Sequence, residues 1–313
     1  MTSSQNSSQI NAETSSTSPS EISPDDRYRR PAHTRTIRLG DLRISYLADG
    51  AVGLKPHGWL PATTAADWEP YADHLDERGH LVASVGGLLV ENGDRALLID
   101  TGFGPQVAPD DPANERIGAL RSGGLLDSLR QVGRSPEDIE AVAFTHLHGD
   151  HLGWSWNPAP GSDRPPFAHA AHLVSAPEWE QRHLAAAHGA PAERLAVFAD
   201  RVRTVTDGEE VFPGVRALMT PGHTAGHLTF EITSNGERLL AFGDALHSPV
   251  QIAHPEWSAA VDLDPVRSAE QRHRLVDELG KPGTLGFGIH FADVVFGRAV
   301  RDAQGRTAWA PLS

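Results

Sequence analysis

Seven consecutive residues, Thr145-His146-Leu147-His148-Gly149-Asp150-His151, constrain this chain more than any other feature. They follow a short apolar run, residues 141–145, that reads as a buried strand. Three imidazoles and a carboxylate in one turn beside a core strand are costly to desolvate unless something pairs with them. A metal ion is the natural partner. His146 and His148, two apart on an extended stretch, can point to one side, while Asp150 and His151 can turn towards a second position. A site of this shape needs further ligands from elsewhere in the chain.

Candidates stand at three later places, each after a predicted strand. Pro221-Gly222-His223-Thr224-Ala225-Gly226-His227 is the first, Gly243-Asp244 the second, and Gly288-Ile289-His290 the third. Strand ends are where loops converge into active sites. The chain has no cysteine, so a metal must be held by nitrogen and oxygen.

The rest of the chain frames these segments. Its 313 residues suffice for a substantial core. A net charge of −14 argues against nucleic acid as a partner, because such binding rests on Lys and Arg neutralising phosphates. No apolar run approaches the roughly 20 residues that span a bilayer, and the N-terminus lacks a basic and an apolar signal region. The expectation is a cytoplasmic protein with a small-molecule substrate and no membrane partner, and a homodimer is an assembly the sequence leaves open.

Residues 1–30 are rich in Ser, Thr, Asn, Gln and Pro and read as a disordered tail. The domain is expected over residues 34–310. Strands are expected from Thr34 onward, and hairpins around Asn92-Gly93 and Asn235-Gly236 join residues 84–90 to 95–100 and 228–232 to 239–242. Helices are expected over 124–132, 178–187, 192–198 and 266–279, with a strand at 284–288. Strands at both ends with interleaved helices indicate a layered α/β domain with mixed sheets. Residues 54–81 lack periodicity and read as a functional loop or lid. Trp154, Trp156, Trp257 and Phe291 are candidates to line an apolar substrate pocket.

The HxHxDH segment and the order of the later pieces resemble the metallo-β-lactamase-fold hydrolases over roughly residues 34–310. That resemblance implies an αββα sandwich. It implies one metal held by His146, His148 and His223, a second by Asp150, His151 and His290, and Asp244 bridging them. It makes Asp100, in Leu98-Ile99-Asp100-Thr101-Gly102, a support behind the histidines. Two divalent metals are implied, zinc by default, with manganese, cobalt or iron as alternatives, and a hydroxide bridging them would be the nucleophile.

The chain lacks the Cys of the thiol-liganded β-lactamases and the Glu inside the loop of the flavodiiron proteins. The segment from Gly243 to His254 is similar to the methyl-parathion-hydrolase-like branch, and His247 stands where acyl-homoserine lactonases usually carry Tyr. His247 is thus a catalytic candidate beside Asp150 and Asp244, either donating to developing charge or orienting Asp244. The expected activity is hydrolysis of a lactone or ester of a small apolar substrate. Organophosphate triester hydrolysis, thioester hydrolysis and a mononuclear iron dioxygenase of the same fold are the alternatives.

Overall fold

The structure, a computed structural model, describes residues 24–301 and 305–312. Among the described residues sixteen strands form two sheets. The first contains β1 (Arg35–Leu39), β2 (Leu42–Leu54), β3 (Leu81–Asn92), β4 (Arg95–Ile99), β5 (Val107–Ala108), β6 (Ile117–Ser122), β7 (Ala141–Ala143), β8 (Ala171–Ser175) and β9 (Val202–Val205). Its order is β5-β6-β2-β3-β4-β7-β8-β9, with β1 pairing β2. The second runs in order β10 (Glu210–Phe212), β11 (Val215–Met219), β12 (Leu228–Ser234), β13 (Glu237–Ala241), β14 (Thr284–Phe287), β15 (Phe296–Arg301) and β16 (Thr307–Pro311).

Side-chain alternation explains the layers. In β3 and β4, Leu88, Val90, Leu97 and Ile99 point to one core while Leu89, Ala96 and Leu98 point to another. The first core also takes Phe230, Ile232, Leu239 and Ala241 from β12 and β13, so it lies between the two sheets. The second takes Leu125 and Leu129 from helix Leu125–Gln131, and Leu152 and Trp154 from helix Gly149–Trp156. On the far side, Leu240 packs with Leu275, Val276 and Leu279 of helix Pro265–Leu279. The result is the αββα sandwich.

Both expected hairpins form, with different turns. Ser234 pairs with Glu237 around Asn235 and Gly236, both at positive φ as a type I′ turn requires. Asn92 itself pairs with Arg95, so the first loop is Gly93-Asp94, with positive φ at Gly93. Beyond the hairpins, β4, β7, β8 and β9 run parallel, as do β13 and β14, bridged by the long helix. Several strands carry no legible alternation. β8, for example, buries His172 and Ser175 beside Leu173 and Val174, since a parallel strand covered on both faces need not alternate.

Of the tail expected over residues 1–30, residues 1–23 lie outside the described residues, and Pro24–Arg29 forms a 3-10 turn where disorder was expected. Arg27 donates to the carbonyls of Asp293 and Leu312, and Arg30 pairs with Asp293 at 2.7 Å, long-range contacts that local composition does not reveal. Residues 54–81 are a packed cover with helical turns at Pro56–Trp59, Ala65–Trp68 and Glu69–His74. Trp59, Leu60 and Trp68 share a core with Trp257. Backbone bonds from Lys55 N to Arg116 O and from Ala260 N to Trp59 O fix the first turn on both sides.

Candidate metal centre

The heptapeptide divides between two conformations. Residues up to His148 continue extended from β7, and helix Gly149–Trp156 begins immediately after, so Asp150 and His151 fall in its first turn. Behind them, Asp100 ends β4 with φ of +59°, strained for a residue other than glycine. Its carboxylate accepts from Thr145 N, Thr145 Oγ1 and His151 Nδ1, each at 2.9 Å, and these buried bonds offset the strain.

His223, Asp244 and His290 come to the same place from the β11–β12 turn, the end of β13 and the end of β14. Two groups of potential donor atoms result: His146, His148, His223 and Asp244, and Asp150, His151, Asp244 and His290. Asp244 divides its oxygens between them. Oδ2 lies 3.4 Å from His223 Nε2 and 3.7 Å from His146 Nε2, whereas Oδ1 lies 3.0 Å from His290 Nε2 and 3.1 Å from His151 Nε2. Asp150 Oδ2 stands 3.5 and 3.6 Å from the Nε2 atoms of His151 and His290.

The far sides of these imidazoles are occupied. His151 Nδ1 donates to Asp100, His223 Nδ1 to Asp262 Oδ1 at 2.9 Å, and His290 Nδ1 to the Ser84 carbonyl at 2.7 Å. His146 Nδ1 lies 3.0 Å from Thr145 Oγ1, which gives its own proton to Asp100 and is left to accept. With protons committed outward, the Nε2 lone pairs face inward.

The donor set fits a pair of metal ions. His146 Nε2, His151 Nε2 and Asp244 Oδ1 are buried with no hydrogen-bond partner, and His148 Nδ1 faces His223 Nε2 at 3.1 Å. Converging nitrogen and carboxylate donors that satisfy nothing else could hold N- and O-liganded divalent cations. The electrostatics agree. Burial holds His146 and His148 well below the ordinary imidazole range. Burial acts the same way on His151, but the Asp244, Asp150 and Asp100 carboxylates outweigh it and raise that group well above the range. The carboxylates thus draw positive charge towards the centre of the cluster.

Several supporting residues were not legible in the sequence. Asp262 is clamped by the fully buried Arg272 at 3.1 Å, making a chain from His223 into the outer helix. Glu178 accepts from Leu147 N and Gly226 N, tying two ligand loops together. His227 Nε2 accepts from Asp244 N at 3.1 Å, and His188 stacks on His148 with ring centroids 4.1 Å apart.

A cavity of about 300 Å³ opens over the cluster. Its walls are Val52, Leu54, Trp59, Phe103, Ile117 and Val261, with His247, His188 and Arg116 as polar elements. His247 Nε2 lies 3.2 Å from Asp244 Oδ2, and burial holds this imidazole below its ordinary range despite that carboxylate. The aromatic residues expected to line the pocket lie elsewhere. Trp154 and Trp156 belong to the core beneath the helices, with Trp154 Nε1 donating to Asp49. Phe291 packs against Phe242 and Trp309, and Trp257 stacks on His254 behind the cover. Ring hydrophobicity places a side chain out of water without saying which apolar region receives it.

Residues 87–285 match the model of the metallo-beta-lactamase superfamily. The chain belongs to that superfamily and is a metal-dependent hydrolase. Among its relatives is an N-acyl homoserine lactonase of Bacillus sp., 29% identical over 209 residues, covering 62% of this chain and 76% of that one. Among solved structures it is similar to AidC, a dizinc quorum-quenching lactonase in complex with a product, at a TM-score of 0.75 and 22% identity, covering 90% of this chain and 98% of that chain. The hydrolase AbOPH of the beta lactamase superfamily superposes with a TM-score of 0.73 at 24% identity, over 91% and 99% of the two chains.

Proposed function

We propose that the protein hydrolyses a lactone or ester of a small, mostly apolar acyl substrate at a two-metal centre. The observation that carries this reading is the division of Asp244 between two donor groups on the floor of an apolar cavity. Divalent metals bound there, zinc for this donor set, supply Lewis acidity that lowers the pKa of water and polarises a carbonyl oxygen.

His146, His148 and His223 would hold one ion and Asp150, His151 and His290 the other, with Asp244 available to both. Asp100, Asp262 and the Ser84 carbonyl fix the ring orientations, so the donors need no rearrangement on binding. Asp150, whose side chain is 21% exposed against 5% or less for Asp244 and His290, is the cluster carboxylate most open to the cavity. As the carboxylate most open to the cavity, Asp150 would take the proton of an attacking water and return it to the leaving alkoxide. The apolar walls exclude bulk water and strengthen these interactions. His247 holds the Asp244 carboxylate from the cavity side.

Lactonase-named relatives support the substrate class. The test is pH-stat proton release by zinc-loaded protein given a long-chain acyl lactone. Metal-dependent acid release is expected, and its absence would contradict the lactone reading.

A further inference from the structure

Among the described residues three other than glycine adopt a positive φ: Asp100, Asn235 and Ala292. Asp100 is held by the bonds to its own carboxylate, and Asn235 is a residue type that tolerates this region in a hairpin turn. Ala292, at +38°, has no side-chain group to hold it there. Its N–H donates back to the His290 carbonyl at 3.0 Å, so the strained bend is the one that carries His290. Such a bend persists only where its surroundings fix it.

What fixes it is residues 27–32. Asp293 N donates to the Arg27 carbonyl at 3.0 Å, and the Arg27 guanidinium donates back to the Asp293 carbonyl through Nε at 3.0 Å and Nη2 at 2.8 Å. Arg30, 263 residues away in sequence, brings Nε and Nη2 to Asp293 Oδ2 at 2.9 and 2.7 Å. That carboxylate is buried. Ala32 N donates to Ser84 Oγ at 2.8 Å, and Ser84 Oγ donates to the Ala292 carbonyl at 2.9 Å. The carbonyl of the same Ser84 accepts from His290 Nδ1. One segment therefore grips Ala292, Asp293 and the residue that sets the His290 ring. It also reaches the cover: Arg29 Nε donates to the Leu75 carbonyl at 2.8 Å, and the Tyr28 and His74 rings lie 4.3 Å apart.

These contacts select one half of the cluster. The bonds that orient His146, His151 and His223 run to Thr145, Asp100 and Asp262, none of which lies in this segment. Removing a guanidinium from buried Asp293 leaves a charge short of a partner and frees the bend to relax. Metal affinity depends on how such outer bonds hold the ligand ring. We propose that residues 27–32 form a strap that positions His290 for the second metal ion, with Arg30 its principal positioning residue. The inference rests on the two-metal reading and deepens it, since the strap sets the affinity of one metal position without setting the other.

The test is titration of the metal-stripped full chain with cobalt(II), followed by visible absorption. Two uptake steps are expected in the wild type, and the step lost in the His290→Ala variant marks the second position. Arg30→Gln is expected to weaken that step about 10- to 100-fold and leave the other unchanged. Arg30→Lys, which returns a single charged donor, is expected to recover part of the loss. Ser84→Ala cuts the other link without removing a charge and is expected to act in the same direction, which keeps the test open if Arg30→Gln folds poorly. Arg134→Gln is the control for stability alone: it unpairs Arg134 from buried Glu91 near the opposite end of β3 from Ser84, and both steps are expected to persist. An unchanged second step in Arg30→Gln and Ser84→Ala, equal weakening of both steps, or the same weakening in Arg134→Gln overturns the proposal. A wild type that takes up one ion removes the two-metal reading instead. The strap then stands if His290→Ala abolishes that uptake and Arg30→Gln weakens it, and falls if either leaves it unchanged.

Discussion

His223 Nδ1 lies 2.9 Å from Asp262 Oδ1, and the other oxygen of Asp262 is held by Arg272 at 3.1 Å, so an inward-facing imidazole is anchored through two buried charges to helix Pro265–Leu279. Replacing Asp262 by Asn removes the charge that fixes the ring and raises its basicity. Affinity for the first metal is expected to fall about 10- to 100-fold. Competition with a chromophoric chelator reads this directly, and unchanged affinity would show that the carboxylate does not tune His223.

Arg272 in turn is the partner of a buried carboxylate, and both side chains are wholly enclosed. The Arg272→Met variant leaves Asp262 charged and uncompensated, which is expected to cost about 3–5 kcal/mol of stability. Urea denaturation of the metal-loaded protein measures it. A loss below about 1 kcal/mol would mean that His223 alone suffices to hold the charge.

His247 faces the cavity and stands beside Asp244 without belonging to either donor group. The His247→Phe variant is expected to lose about 10- to 100-fold in kcat while metal content stays at the wild-type level. Full kcat in that variant would remove His247 from the mechanism, and lost metal would make it a ligand.

A pH prediction concerns His172, remote from the metal residues and stacked on Phe198 with centroids 4.9 Å apart. Burial lowers its pKa from 6.5 to about 4. Below pH 6.5 the unfolded chain takes up a proton that the folded one refuses, so this contribution is fully present above 6.5 and is lost as pH falls towards 4. The loss approaches about 3 kcal/mol. The His172→Phe variant is expected to flatten the stability profile between those pH values, and an unchanged slope would assign the dependence to other groups.

What could be read from the sequence follows from where the information lies. The heptapeptide was legible because its donors are dense and local, and His223, Asp244 and His290 because each follows an apolar strand. Asp262 was not, since Asp-Leu-Asp-Pro reads as a helix start, and Asp264 does cap the helix by accepting from Arg267 N. Glu178 reads as an ordinary helical residue until the fold brings Leu147 N and Gly226 N to its carboxylate. The tryptophans show the same limit. Trp154 and Trp156 adjoin the ligands in sequence but point into the core, whereas Trp59, some ninety residues earlier, reaches the cavity through the packing of an aperiodic segment. Local chemistry was visible, and its tertiary partners were not.

Elemental analysis of extensively dialysed protein beside its Asp244→Asn variant decides whether Asp244 joins two metal positions. Two divalent ions per chain are expected in the wild type and no more than one in the variant, with kcat reduced by about 1,000-fold or more. Two tightly held ions and full turnover in the variant, or a single ion in a fully active wild type, would contradict it.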